Sequence, residues 1–244
     1  MSFISYLNLI KNELKSLKAT IYYNPRTKAK IIEHFHRLYY ESCDLGGTWV
    51  KTRWLGVKLA KCPLDLWVYQ EIIYELKPDV IVESGTGGGG SSLFLASMCD
   101  LIDHGRIVTI DIDADRERPQ HRRITQLFGS STSENVIKQV REIVGQGKTV
   151  MVILDSDHSK DHVLNELRLY SQFVSPGSFL IVEDTNINGH PVGSNAGPGP
   201  MEAIEVFVQE NTNFVIDKEK EKFYMTFNPN GYLKRVAPNS GGKS

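Results

Sequence analysis

The sequence predicts a doubly wound α/β domain built on a mostly parallel sheet. Three observations carry that expectation. From about residue 63 onward, short apolar strands alternate with helical segments, the pattern of a parallel sheet covered on both faces. A glycine-rich turn, Glu83-Ser-Gly-Thr-Gly-Gly-Gly-Gly-Ser91, joins the first strand of that series to a helix. The strands end in acidic residues, which gathers carboxylates beyond their carboxyl ends, where such sheets bind ligands.

At the start of the chain Phe3, Ile4, Leu7, Ile10, Leu14 and Leu17 recur at helical spacing with lysines between them. They predict an amphipathic helix packed on the body or on another subunit, with contact to a membrane surface as the lesser reading. The lysines interrupt any signal-peptide core, and no apolar run approaches the ~20 residues of a membrane span. Residues 1–60 read as a helical N-terminal extension without strand alternation, serving as a cap or for oligomer contacts. Residues 61–238 read as the cofactor-binding domain and 239–244 as a flexible tail.

Within the domain, Pro63 to Leu76 is a helix stopped by Lys77-Pro78, and Val80-Ile-Val82 is a buried strand. Ser91 to Cys99 is a helix, and Arg106 to Ile110 is a strand ending in Asp111. Thr149 to Leu154 is a strand ending in Asp155, and residues 160–173 form a helix through Val163, Leu164, Leu167 and Phe173. Ser178 to Val182 is a strand followed by Glu183-Asp184.

The composition, 41% hydrophobic and 23% charged, is that of a soluble globular protein. A formal net charge of −1 argues against a nucleic-acid binder working by bulk electrostatics. Cys43, Cys62 and Cys99 are dispersed and form no CxxC pair, so neither a disulfide framework nor a zinc site is expected, and a reducing cytoplasm fits.

Gly85, Gly87 and Gly90 satisfy G-x-G-x-x-G, which lets the backbone turn tightly and approach a ligand at a helix N-terminus. That spacing suits a dinucleotide equally well. Glu83 tips the balance, because a carboxylate before the first glycine repels a pyrophosphate but favours the ammonium and sulfonium of S-adenosylmethionine. The residues expected to hold this cofactor are Glu83, Gly85, Thr86, Gly87, Gly90, Ser91, Asp111 for the ribose hydroxyls, Asp113 in reserve, Ser130 or Ser131 near adenine, and Asp155. An NAD-binding oxidoreductase is the alternative.

Asp155-Ser-Asp157-His158 and Glu183-Asp184 are more carboxylate than a neutral ligand needs. Unpaired at one rim they would repel and raise one another's pKa, which a hard divalent cation such as Mg²⁺ resolves. Helix capping is the competing use of Asp157. His158 stands beside this cluster and is the best general base in the chain; His162 and His190 are weaker candidates.

Trp54-Leu-Gly56, Tyr69-Gln-Glu71, Lys77-Pro-Asp-Val-Ile-Val-Glu-Ser-Gly85, Ile153-Leu-Asp-Ser-Asp-His158, Val182-Glu-Asp-Thr185 and Gly189-His-Pro191 follow in order within about residues 45–236. On these motifs the sequence resembles the family of cephalosporin hydroxylases and rhamnosyl O-methyltransferases. The resemblance implies a Rossmann-like class I methyltransferase fold, with a seven-stranded sheet and an antiparallel last hairpin. Phe214-Val-Ile216 and Tyr224-Met-Thr-Phe227 fit that hairpin. It implies Mg²⁺ or another divalent cation on Asp155, Glu183 and Asp184, with Asp157 as alternative to Asp155, and His158 as the base three residues beyond Asp155. The implied activity is S-adenosylmethionine-dependent, Mg²⁺-assisted O-methylation of a hydroxyl on a sugar, glycan, glycolipid or natural product. Thr185 to Met201, rich in glycine and proline, would be the acceptor lid. A homo-oligomer is expected. A hydroxylase on the same scaffold competes, although non-haem iron favours two histidines and one carboxylate, and one histidine sits among these acids. A non-catalytic binding protein of the same fold is the third reading.

Overall fold

The computed structural model describes residues 3–42, 46–194 and 197–236. Cys43, Asn195, Ala196 and the expected tail lie outside them.

Two helices open the chain, α1 (Phe3–Tyr23) and α2 (Pro25–Glu41). Asn24 caps α2: its Oδ1 accepts from the backbone N–H groups of Arg26 and Thr27, and Pro25 takes the first helical position, where no N–H is needed. α1 packs along α2, while Leu7, Leu14 and Leu17 stay exposed. α2 docks on the body through aromatic rings. His36 stacks on Phe227, and Tyr40 and Trp49 meet the same ring edge-on.

The helical segment is shorter than the sequence predicts. Thr48–Lys51 is a single 3-10 turn, and β1 (Arg53–Trp54) pairs antiparallel with β2 (Val57–Lys58). Leu55 and Gly56 both take positive φ, +47° and +85°, as a tight hairpin turn requires. Strands this short carry no readable alternation. Trp54 fixes the hairpin to the body, edge-on to Phe94 with its Nε1 donating to Ser97 Oγ at 2.9 Å.

His36 makes the docking of α2 sensitive to acid. Its Nε2 lies 2.9 Å from Asn186 Nδ2, and burial pushes its pKa from 6.5 to about 4. The folded state therefore resists protonation. Stability present above pH 6.5 is lost as pH falls through 6.5 toward about 4. The full effect is about 3 kcal/mol. His36→Gln should remove this part of the acid dependence. The measurement is the difference in denaturation midpoint between the two proteins on going from neutral pH to about pH 4.

The body begins with α3 (Pro63–Leu76), β3 (Val80–Ser84), α4 (Gly90–Leu101), β4 (Arg106–Asp111) and β5 (Ile124–Phe128). It continues with α5 (Glu134–Val144), β6 (Val150–Leu154), α6 (Lys160–Tyr170), β7 (Phe179–Val182), α7 (Pro200–Glu210), β8 (Phe214–Ile216) and β9 (Tyr232–Arg235). The seven-stranded sheet has the order β5-β4-β3-β6-β7-β9-β8, parallel from β5 to β7 and antiparallel at β9 and β8. Alternate strand residues serve opposite faces. Val80, Val82 and Val152 pack with α5, α6 and α7, whereas Ile81, Met151 and Ile153 pack with α3 and α4. Burial on both faces is why these strands read as unbroken apolar runs.

The last hairpin forms, but with a different second strand. Tyr232–Arg235 pairs with β7 and β8, not Tyr224 to Phe227. Asp65 on α3 holds the earlier segment: its carboxylate accepts from Thr226 Oγ1 and, at 2.8 Å, from the Phe227 N–H. Phe227 is thereby committed to the aromatic contact with α2.

Strand order reverses between β3 and β6, since β4 and β5 lie on one side of β3 and β6 and β7 on the other. The crevice beyond the carboxyl ends of β3 and β6 is the expected ligand position in such a sheet.

Candidate active site

A cavity of about 900 Å³ opens at that crevice. Two glycines of the loop owe their identity to close backbone approach. Gly85 has φ +83°, and a Cβ there would fall 1.8 Å from the Asp155 carbonyl oxygen on the neighbouring strand end. A Cβ on Gly90 would fall 2.1 Å from the Lys58 carbonyl oxygen, because the β1–β2 hairpin closes over the start of α4. Asp111 braces the loop from the end of β4. Its Oδ2 accepts the Gly87 N–H at 2.8 Å and lies 3.2 Å from the Arg118 guanidinium, whose Nε donates to the Gly87 carbonyl.

Of the residues expected to hold a cofactor, Gly85, Thr86, Gly87, Gly90, Ser91, Asp111, Ser130 and Asp155 line this cavity, as does Ser131. Glu83 and Asp113 do not line it. Glu83 shares the face of β3 that carries Ile81, so it points under α4, fully buried. It accepts from Ser92 Oγ and, at 2.8 Å, from Thr109 Oγ1. Burial pushes its pKa up, against the charge of Lys61 and these hydrogen bonds. Asp113 is exposed and turned onto its own loop, accepting from the N–H groups of Asp115 and Arg116.

At the end of β6 a second cluster adjoins the cavity. Ligand atoms of Asp155, His158 and Asp184 all lie within 4.8 Å of one another. His158 Nε2 stands 3.3 Å from Asp155 Oδ1 and 3.5 Å from Asp184 Oδ2. Asp184 follows β7 with φ +53°, a left-handed conformation that costs a non-glycine residue energy. Burial pushes the His158 pKa down, but the Asp155 hydrogen bond and the charges of Asp184, Asp155 and Glu183 outweigh it and raise the pKa to about 9. A second cavity, about 550 Å³, opens on His158 between residues 157–161 and Ile187, Gly197 and Pro198 of the expected lid.

Glu183 stands apart from that cluster. Its Oε1 accepts from Tyr69 Oη at 2.9 Å, and its Oε2 meets Lys61 Nζ at 2.5 Å. Lys61 Nζ also lies 2.6 Å from Asp155 Oδ2. Burial opposes the Lys61 ammonium, but the charges of Asp155, Glu183 and Glu83 hold its pKa above the ordinary lysine value. Asp157, the alternative to Asp155, is exposed, and its Oδ1 accepts the Ser159 N–H at 2.7 Å, bracing the turn into α6. His162 faces the cofactor cavity beside Ser131, Ser156 and Glu166. His190 pairs with Glu202 at 2.8 Å. Neither joins His158.

A family model described as Rhamnosyl O-methyltransferase/CmcI matches residues 47–236. The chain belongs to this family. Rhamnosyl O-methyltransferases of Mycobacterium tuberculosis (strain ATCC 25618 / H37Rv) and Mycobacterium leprae (strain TN) are each 38% identical to it. The first match spans 228 residues, 90% of either chain, and the second 218 residues, 86% of this chain and 93% of the relative. Among solved structures, CmcI with Mg and SAM superposes with TM-score 0.62 at 18% identity, covering 78% of this chain and 79% of that one. Apo CmcI gives 0.61 at 21%, covering 78% of each. The fold is therefore the Rossmann-like class I methyltransferase fold, as the sequence motifs imply.

Within this family member, sequence reasoning missed Lys61, Tyr69 and Arg118. Lys61 carried one signal, a lone basic residue in the apolar run Leu59-Ala-Lys-Cys-Pro63. Tyr69 stands in the motif Tyr69-Gln-Glu71, which assigns it no role, and Arg118 sits in an irregular charged loop.

Proposed function

We propose that this chain is an S-adenosylmethionine-dependent, Mg²⁺-assisted O-methyltransferase that acts on a hydroxyl of a sugar, glycan, glycolipid or natural product, with a rhamnosyl unit as the favoured acceptor. One observation carries the reading. Asp155 lines the large cavity and also belongs to the cluster with His158 and Asp184, so a methyl donor and a metal-held acceptor would meet across one side chain. The names of the mycobacterial relatives support the rhamnosyl acceptor.

The residues fit both groups. A cavity of about 900 Å³ is within the size of cofactor pockets. Asp111 would take the ribose hydroxyls, and Asp155 and Asp157 suit a cationic ligand better than a pyrophosphate. The carboxylates of Asp155 and Asp184 form an oxygen donor pair for a hard divalent cation. Bound there, the two groups supply an electrophilic methyl and a charge that makes the acceptor hydroxyl more acidic. Because a hard cation prefers oxygen, His158 keeps its nitrogen for chemistry. A cation held by Asp155 and Asp184 would offset the carboxylate charge that raises the His158 pKa, leaving Nε2 free to take the acceptor hydroxyl proton. Asp155 and Asp184 orient the imidazole and stabilise the imidazolium that results. The loop through Ile187 and Pro198 holds the acceptor over His158 and keeps water out.

The protein would work in the cytoplasm, which suits the free buried thiols of Cys62 and Cys99. The exposed Leu7, Leu14 and Leu17 of α1 suit contact with a second copy. Among the described residues no helix is long and apolar enough to cross a membrane.

Calorimetry with S-adenosylmethionine, S-adenosylhomocysteine and NAD⁺, each with and without Mg²⁺, tests the cofactor. The methyl donor and its product should bind, and tight NAD⁺ binding without them would overturn the reading. Asp184→Asn should lower turnover by at least the ~10–100-fold typical of more distant metal-site residues. Cofactor affinity should stay within a few-fold, since Asp184 does not line the large cavity. Full turnover by this variant in EDTA would remove the metal from the mechanism.

A further inference from the structure

We propose that Lys61 is a built-in counter-cation that holds Asp155 and Glu183 together in the metal-free protein and competes with the divalent cation for them. The inference rests on the metal reading above and concerns a residue outside the expected ligand set.

The geometry is specific. Lys61 is 5% exposed, and its Nζ makes two short contacts, 2.6 Å to Asp155 Oδ2 and 2.5 Å to Glu183 Oε2. Glu183 has its other oxygen on Tyr69, which is itself buried and accepts from Asn228 Nδ2 at 2.9 Å. Glu183 is therefore clamped at both oxygens by groups of this chain. Asp155 is shared: Oδ2 faces Lys61, whereas Oδ1 faces His158. The ammonium thus stands on the far side of the same carboxylate that a divalent cation would use.

Two consequences follow from that placement. A cation entering beside Asp155 meets a positive charge a few ångström away in a buried setting, where like charges repel strongly. Lys61 must then weaken the cation's binding and withhold Glu183 from it. Without Lys61, Asp155 Oδ2 and Glu183 Oε2 would face each other with no cation between them, which is costly. The metal-free fold therefore depends on the ammonium, and a divalent cation can substitute for it. Lys61 also lines the large cavity, so it has space to withdraw toward when Glu183 is released. Lys61 is a positioning residue in this scheme, acting through the carboxylates.

The test uses the full chain, without acceptor, and Mn²⁺ as the probe. Binding is measured by calorimetry for the wild type and for Lys61→Met, Lys61→Gln and Lys61→Arg. The Met and Gln variants should bind Mn²⁺ more tightly by about tenfold or more, and the Arg variant should stay near the wild type. Thermal unfolding supplies a second readout. Metal-free Lys61→Met should melt below the wild type and regain more of its melting temperature from Mn²⁺ than the wild type gains. Lys61→Gln keeps hydrogen-bond donors and carries the comparison if the Met variant does not fold. Affinity that is unchanged or weaker in the Gln variant overturns the inference while leaving the metal reading intact. No Mn²⁺ binding by either the wild type or the Gln variant overturns both.

Discussion

His158→Ala should lower kcat by about 10²–10⁴-fold, the usual contribution of a positioned general base. Its affinity for S-adenosylmethionine should not change, because the histidine lines the smaller cavity and not the larger one. The two effects separate the proton-transfer role from a structural one. A collapse of the cluster would also disturb Asp155, which lines the large cavity, and cofactor affinity would fall with turnover. The decisive measurements are single-turnover rates with a rhamnosyl acceptor and a calorimetric titration of the cofactor. A variant that keeps full activity from about pH 6 to pH 9 would remove His158 as the base.

Gly85→Ala should be the most damaging single change in the cofactor loop, and Gly177→Ala is its control. Both glycines have φ +83°, so an added methyl meets the same backbone strain at each, about 1–2 kcal/mol. They differ in what surrounds them. Nothing lies within 4 Å of a Cβ at Gly177, whereas at Gly85 the Asp155 carbonyl oxygen stands at 1.8 Å. Overpacking then adds to strain, for a total of about 2–5 kcal/mol at Gly85. The clash can be relieved only by moving the end of β6 away from β3, which displaces Asp155 from both the cavity and the cluster. Denaturant titrations should show the larger loss for Gly85→Ala, together with loss of cofactor binding. Equal losses in the two variants would mean that the strand ends separate easily.

Most of the fold was legible because parallel strands buried on both faces write an unmistakable pattern. Pro63 to Leu76 reads as a helix from end to end, and β4, β6 and β7 each end where their acids begin. The hairpin of β1 and β2 was not legible, because two-residue strands have no period to detect. The second strand of the C-terminal hairpin was misplaced for a different reason. Tyr224-Met-Thr-Phe227 has the composition of a strand, but Asp65, far away in sequence, captures its backbone and turns Phe227 toward α2.

The site divides in the same way. The positions of Gly85, Gly87, Asp111, Asp155, His158 and Asp184 follow from sequence alone, because each lies at a strand end or in the turn after it, and a doubly wound sheet brings those ends to one rim. Which way each side chain points does not follow. Alternate residues of a strand share a face, so Glu83 follows Ile81 under α4, whereas Gly85, in the turn beyond β3, lines the cavity. Nor does the pairing follow. The sequence makes Glu183 a third expected ligand for a cation, and only the tertiary fold shows that Lys61, 122 residues earlier, is paired with it. Local pattern thus determined the rim, and long-range packing decided which charges meet there, because a buried carboxylate takes whichever partner the fold delivers.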